Sequence, residues 1–460
     1  MAARVLRSDL TDTQVLGLKK TLTMIPKTFV PGMKWYSPAT EDKEINFYRP
    51  AIVDGKTYID LPYAIANITL NKAINFDCYK QKEPVTIEFK VKLFDYQVEP
   101  YKEASQQVKT FGTTTLRLYP GFGKTALGAK LAADLGFLTL VTYHQTTIEE
   151  IWKNTFSKFT NAKVWVVGMK NPPKDYNVIL CMNTRLTGVL EEVRNKVGTF
   201  IIDEAHRLCT ASNVEPLLSV HPLYIIAETA TLERTDKMES MMFAMCGTHA
   251  VNRSNEKKFN VTKLITDIEP KCETDNQGKL KWSSVIKSLA LNQDRNSIII
   301  NLVLSNLKHK ILILCRVKEH VTVLLDLLKK QDIKSDFMMG TKKKYEDSHV
   351  LLGTISKIGT GFDEAAFCSS YNGVRIDLLI LVTSIKEKSL LEQNVGRVLR
   401  SSVPYVIHLF DNHPSLTRHW SSCRKWYEDN MGTITEQKYT GPRTIPEKQG
   451  KVVIKIQGKS

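Results

Sequence analysis

Along most of the chain, short apolar runs rich in β-branched residues alternate with stretches of helical periodicity. That alternation predicts parallel α/β sheets, whose strands are buried on both faces. From about residue 87 the runs that read as strands are TTLRLY (114–119), LTLVTY (138–143), VIL (178–180), GTFIID (198–203) and YIIAET (224–229). The rhythm breaks around 250–285 into a polar stretch, which reads as an inter-domain connection. A second series follows: ILILC (311–315), VLLGT (350–354), LLILV (378–382) and YVIHLF (405–410). Between its first two members, VKEHVTVLLDLLKK places Val317, Val321, Leu324, Leu325 and Leu328 on one face of a helix.

The first 86 residues carry no chemical motif. They mix aromatics, β-branched residues and turn signals such as Asp54-Gly55, which predicts a small β-rich or α+β module. The expected organisation is an accessory module at 1–86, a first α/β domain at 87–255, a second at 256–430 and a basic tail at 431–460. The tail contains one alternating run, KVVIKIQ, and the lysines Lys448, Lys451, Lys455 and Lys459; an edge strand and a loose solvated tail both fit it.

Composition narrows this picture little. A chain of 460 residues can bury two or three cores, and 42% hydrophobic with 24% charged residues is ordinary for a soluble globular protein. No run approaches 18 consecutive apolar residues, and MAARVLRSDLTD lacks the apolar core of a signal peptide, so neither a membrane span nor secretion is expected. Eight scattered cysteines without a C-x-x-C pair argue for buried thiols in a reducing compartment rather than a zinc ribbon or disulfide framework. The formal charge of +16 favours a polyanionic partner.

Two segments carry chemistry. In LYPGFGKTALGAK (118–130) a strand leads through Gly121 and Gly123 into a helix-forming sequence. Glycines let backbone N–H groups close around phosphates at a helix N-terminus. Lys124 would then reach the β- and γ-phosphates of ATP, and the Thr125 hydroxyl would coordinate Mg²⁺. Leu118 departs from this pattern, which usually has Gly or Ala there. In TFIIDEAHRL (199–208) an apolar strand ends in Asp203-Glu204, placing both carboxylates at the carboxyl edge of a sheet, where α/β proteins bind ligands. Asp203 would hold Mg²⁺, Glu204 would orient and deprotonate the attacking water, and His206 would couple the nucleotide site to the neighbouring domain.

Gly-Lys-Thr followed by Asp-Glu-Ala-His resembles the ATPase core of the superfamily 2 DExH/DEAH helicases, and further segments resemble that family in order. Leu93-Phe94-Asp95-Tyr96-Gln97 is similar to the element whose Gln, here Gln97, contacts adenine. LTLVTYHQTTIEEIWKNTF and Thr184-Arg185 resemble backbone-contact segments, which implies nucleic-acid contact by Arg185. AETATLERTD (227–236) resembles the coupling motif, with Thr229 in place of Ser and Leu232 in place of Pro; the hydroxyls of Thr229 and Thr231 would link hydrolysis to domain movement. LGTISKIGTGFDEA (352–365) resembles the motif in which Thr354 and Ser356 face the nucleic-acid backbone while Gly361 and Asp363 approach nucleotide and ribose. Gln393-Asn394-Val395-Gly396-Arg397-Val398-Leu399-Arg400 matches Q-x-x-G-R-x-x-R. That implies a coupling role for Gln393, an arginine finger at Arg400 and a γ-phosphate or coupling contact at Arg397, since a guanidinium meets phosphate oxygens as a planar fork.

The resemblance covers roughly residues 87–430 and implies two tandem RecA-like domains, parallel sheets flanked by helices, with ATP and Mg²⁺ as cofactors. Asn394, where the RNA-splicing branch carries Arg, fits better with the DNA-directed branch of XPB, UvsW and RecG type. MGTKKKYEDSHVLLGTISKIGTGFDE and HLFDNHPSLTRHWSSCRKWY are similar to helicases of large nucleocytoplasmic DNA viruses, of the poxvirus, iridovirus and asfarvirus kinds. This implies a monomeric motor on DNA, an RNA–DNA hybrid or RNA, working with transcription or replication machinery. Its place would be the cytoplasm at a viral replication site, the virion, or the nucleus. The motifs are shared with translocases that do not separate strands, so that alternative stays open. Intact Lys124, Asp203, Glu204 and Arg400 argue against a catalytically silent binding protein.

Overall fold

The structure, a computed structural model, describes residues 1–24, 44–70, 81–229, 239–359 and 362–446. They fall into two compact units, Met1–Leu118 with Phe122–Arg253, and Tyr119–Gly121 with Ser254–Ser460.

The first unit is built on a seven-stranded sheet in the order Ala250–Arg253, Thr113–Leu118, Tyr224–Thr229, Thr199–Asp203, Thr139–Tyr143, Val178–Met182 and Val164–Val166. Every ladder is parallel. The central strands are buried along their whole length, as their unbroken apolar runs predict. Asp203 pairs with Glu228 across the ladder of Thr199–Asp203 and Tyr224–Thr229. Parallel strands end at the same edge, so Leu118, Asp203 and Thr229 all lead out at one side of the sheet.

The N-terminal residues form the small module expected of them, an antiparallel sheet in the order Ala2–Leu6, Lys56–Pro62, Arg49–Val53. Asp54 and Gly55 turn its hairpin with φ of 49° and 74°, the left-handed pair that matches strand twist. Thr11 and Gln14 close a capping box at the start of the helix Asp12–Leu22. The module has no separate core: Val5, Leu18 and Leu61 share one cluster with Ile179, Phe200 and Leu217.

A second seven-stranded parallel sheet organises the other unit, in the order Ser335–Met338, Val350–Thr354, Ile311–Cys315, Leu378–Leu381, Tyr405–Phe410, Phe259–Ile265 and Gly432–Lys438. Its anchor is a buried ion pair: Arg295 Nε donates to both oxygens of Asp411 at 3.0 Å, and Nη2 donates to Val382 O at 2.8 Å. On the helix Lys318–Lys330, Val321, Leu324, Leu325 and Leu328 are buried as predicted. Val317 precedes the helix, and His320 joins the buried face, where Nε2 meets Asn296 Oδ1 at 3.0 Å.

Five strands of the two large sheets lie where none was expected: Val164–Val166, Ala250–Arg253, Phe259–Ile265, Ser335–Met338 and Gly432–Lys438. Phe259–Ile265 runs through the polar stretch at 250–285, as the next-to-edge member of the second sheet. Its polar side chains are satisfied by neighbours: Thr262 meets the Tyr405 hydroxyl at 2.5 Å, and the Lys263 ammonium lies 4.4 Å from the Phe410 ring centroid and 3.2 Å from Glu436. A count of apolar residues cannot detect that compensation. Gly432–Lys438 falls within the expected tail, yet pairs with Phe259–Ile265 as the edge strand. KVVIKIQ and the four tail lysines lie outside the described residues. No helix among the described residues is long and apolar enough to cross a membrane. Their cysteines are all free thiols, buried except Cys272.

Candidate active site

The strand Thr113–Leu118 passes through 119–123 into the helix Lys124–Leu135. Gly121 and Gly123 have φ of 91° and 97°, values that L side chains rarely adopt. They turn the backbone so that the first N–H groups of the helix face outward, the arrangement that receives phosphate. Lys124 starts the helix, and its ammonium donates to Leu118 O at 2.8 Å, which holds the side chain back along the loop. Thr125 follows it, half-buried.

Three carboxyl groups gather at the neighbouring strand ends. Asp203 is buried and accepts a 2.7 Å hydrogen bond from the Trp152 indole. Burial, then the adjacent Glu204 carboxylate, push Asp203 up to about 7, against the opposing pull of Trp152 and Lys124. Glu228, its ladder partner, is almost fully buried and is driven well above the usual carboxylate range by burial and then by Asp203. Glu204 sits at φ 55°, a left-handed conformation in a non-glycine residue. Its carboxylate reaches His206, whose Nδ1 lies 3.4 Å from Glu204 Oε2 and 2.8 Å from Thr229 Oγ1. His206 and Thr229, both expected as coupling residues, are thus bound to each other beside Glu204.

The Thr125 hydroxyl and the Asp203 carboxylate would offer a hard divalent cation the oxygen donors it takes. An acid held near neutrality by burial and a like charge is also one that a cation would relieve. Both observations fit Mg²⁺ in this position.

Gln97 is buried, and its amide bridges within the fold: Nε2 donates to Phe122 O at 2.8 Å and Oε1 accepts from Phe94 N at 3.1 Å. Beside it Phe94 and Tyr96 are exposed and stacked, with centroids 5.6 Å apart at 6°, and Tyr96 stands edge-on to Phe122 at 5.2 Å. An exposed aromatic face next to a planar amide suits a purine base. These rings flank Gln97 in the sequence, and their types were the available signal.

Trp152 and Glu228 are side chains packed at this site that sequence reasoning missed. Trp152 lies in the segment expected at the nucleic-acid backbone, but its ring is fully buried on Asp203. Its spacing of four from Ile148 and from Phe156, all buried on one helix face, was the sign of an inward position. Arg185 is exposed, and its Nη1 donates to Val167 O at 2.9 Å, bracing the turn at Gly168.

In the second unit Thr354 ends the strand Val350–Thr354 and is buried, with Ser356 Oγ 3.3 Å from its hydroxyl. Asp363 caps the helix Glu364–Phe367 by accepting from Ala365 N at 2.9 Å, and it holds Arg400 Nη1 at 2.7 Å. Burial pushes the Asp363 carboxyl up, but Arg400 and Arg375 outweigh it and hold Asp363 below its usual value. Arg397, expected as a γ-phosphate or coupling contact, is buried and donates to Phe362 O at 2.6 Å and Gly359 O at 2.9 Å. Its guanidinium fixes the backbone around Asp363, because a planar fork can bridge two carbonyls that no hydrogen-bond ladder serves. Gln393 is buried on the helix Lys388–Val395. Thr231 and Gly361 lie outside the described residues.

Known proteins are similar to this chain in sequence or in fold. Residues 90–234 match the family model described as the res subunit of type III restriction enzymes. "Putative helicase 161L" of Invertebrate iridescent virus 6 is 26% identical over 81% of this chain and 90% of its own length. "Putative helicase 055L" of Frog virus 3 is 29% identical over 59% of this chain and 65% of its own length. Among solved structures, the ATP-dependent type ISP restriction-modification enzyme LlaBIII bound to DNA aligns with a TM-score of 0.50 at 12% identity. That alignment covers 77% of this chain and 32% of that one, a likeness of fold alone.

Proposed function

The chain belongs to the superfamily 2 helicases and resembles those of large DNA viruses; from that premise we propose that it hydrolyses ATP to move along nucleic acid. The observation that carries this reading is that Asp203, at the end of a buried strand, feels the charges of both Glu204 and Lys124, the first residue of the helix after the glycine turn, with Glu204 at a left-handed φ of 55°.

Each side chain has a definite task in that reaction. The loop N–H groups and Lys124 bind the phosphates, and the Phe94–Tyr96 face takes the base. Thr125 and Asp203 hold Mg²⁺, which when bound neutralises phosphate charge. Glu204 orients the attacking water and removes its proton. His206, in contact with Thr229, relays the state of that site to the strand Tyr224–Thr229. Arg400 supplies the fixed positive charge for the transition state, and Asp363 holds that arginine until nucleotide arrives. Thr354, Ser356 and Arg185 contact the track through its phosphates, so binding tolerates sequence and weakens with salt.

The proposed track is DNA or an RNA–DNA hybrid, in viral transcription or replication. Support comes from the viral relatives and from a restriction-enzyme neighbour bound to DNA. The test is ATP hydrolysis by wild type and Glu204→Gln with no polynucleotide, single-stranded DNA, duplex DNA or RNA. Stimulation by DNA that disappears in Glu204→Gln is expected. Stimulation by RNA alone would move the track to RNA, and no stimulation by any polynucleotide would sink the motor reading.

A further inference from the structure

Glu228 is 1% exposed, and among the described residues neither of its carboxyl oxygens has a hydrogen-bond partner. Native proteins leave few buried polar atoms in that condition, because each forfeits its hydration with nothing in return. A leucine at this point of the strand Tyr224–Thr229 would fill the same space with no such penalty.

The surroundings have been shaped to admit the acid. Gly128 lies one turn beyond Lys124, inside the helix Lys124–Leu135, where glycine is about 1 kcal/mol worse than alanine. A Cβ there would collide with Glu228 Oε1 and with the Trp152 ring. Trp152 in turn holds Asp203, the ladder partner of Glu228. Two departures from ordinary packing, an orphaned carboxyl and a helix-interior glycine, therefore meet beneath the phosphate-binding turn. The Gly128 and Trp152 contacts show that the carboxyl enters on the face of the sheet that carries Asp203.

Building on the ATPase reading above, we propose that Glu228 is a positioning residue of the nucleotide site, accepting hydrogen bonds from the water shell of the nucleotide-bound divalent cation. It thereby favours metal-bound over free nucleotide. Asp203 and Thr125 would hold the cation, and Glu228 would accept hydrogen bonds from its waters. Losing an outer partner of this kind commonly weakens metal affinity by about 10- to 100-fold.

The experiment is calorimetric titration of the full chain with ADP, in excess Mg²⁺ and in EDTA, for wild type, Glu228→Gln and Glu228→Leu. The quantity read is the ratio of the two ADP affinities, which a general loosening of the fold would not change. In Glu228→Leu the Mg²⁺ advantage is expected to shrink by about tenfold or more, and in Glu228→Gln by less, because the amide still accepts hydrogen bonds. Thermal melts without ligand are expected to show both variants at least as stable as wild type, since each removes a buried orphan acid. A wild-type ratio in both variants would overturn the assignment of Glu228 while leaving the ATPase reading standing. If wild type binds no ADP in either condition, both fall together.

Discussion

The first unit contains two buried acid clusters, and they are built on opposite principles. Asp60, fully buried in the N-terminal sheet, is surrounded by partners. Arg4 Nε donates to it at 2.8 Å, Arg49 Nη2 at 2.7 Å, and His221 Nε2 lies 3.0 Å away. Burial pushes its carboxyl up, but His221 and Arg4 outweigh burial and hold it well below the usual range. Asp203 and Glu228 are just as deeply placed, yet their cations are few and their pKa values go up. A carboxylate enclosed by cations serves stability, whereas unmatched negative charge keeps a place for a cation that arrives with substrate. A buried acid is therefore read by its partners rather than by its depth.

The sharpest separation comes from neutralising one acid in each cluster. Asp203→Asn is expected to lower ATP hydrolysis by about 10²- to 10⁴-fold, measured as phosphate release, while leaving the melting temperature unchanged or higher. Asp60→Ala is expected to do the reverse. Stripping Arg4, Arg49 and His221 of their shared partner should destabilise the fold by about 3 kcal/mol in urea titration, with hydrolysis per folded molecule retained. If both substitutions moved stability equally, the contrast between the clusters would collapse.

A smaller effect tests the packing around Glu228. Gly128→Ala is expected to lose about 1–3 kcal/mol through overpacking, and less in a Glu228→Ala background, where the colliding oxygen is gone. Additive losses would mean that Trp152 alone sets the limit at that turn.

The mildest prediction concerns pH and has opposite signs in the two places. The folded pKa of Asp60 lies below its ordinary 3.8, so its contribution is present above that value and is lost as pH falls through the folded one. His221, lowered from 6.5 to about 4 chiefly by burial, adds a loss as pH falls from about 6.5 to about 4. Asp203 is raised from 3.8 to about 7, so its contribution is full below 3.8 and is lost as pH rises toward about 7. Urea midpoints of wild type and Asp203→Asn across pH 4 to 7 should diverge, with the variant losing less on the alkaline side. Parallel curves would show that Asp203 is not carrying that cost.

Much of this protein was legible in local patterns. The nine apolar runs all became strands at or within two residues of their expected bounds, because a parallel strand buried on both faces must be apolar throughout. Gly121, Gly123 and Lys124, and the pair Asp203-Glu204, stand close together in the chain, and their conformations depend mostly on residues beside them. Phe259–Ile265 stayed hidden because Lys263 is neutralised by Glu436 and Phe410, residues more than a hundred positions away. Arg397 had the same difficulty: its residue type suggested a phosphate, and only the folded loop supplied the Gly359 and Phe362 carbonyls.

The sequence by itself determined the strand–helix alternation, the glycine turn that exposes helix N–H groups, and the two acids at the end of an apolar strand. Each is fixed by sterics and burial over a few consecutive residues. Tertiary structure decided the neighbours: Trp152 on Asp203, Glu228 beside Asp203 and above Gly128, and His206 on Thr229. Those relations join residues 23 to 100 positions apart through strand register and helix packing. Register in a parallel sheet is a property of the assembled layers, so no window along the chain contains it.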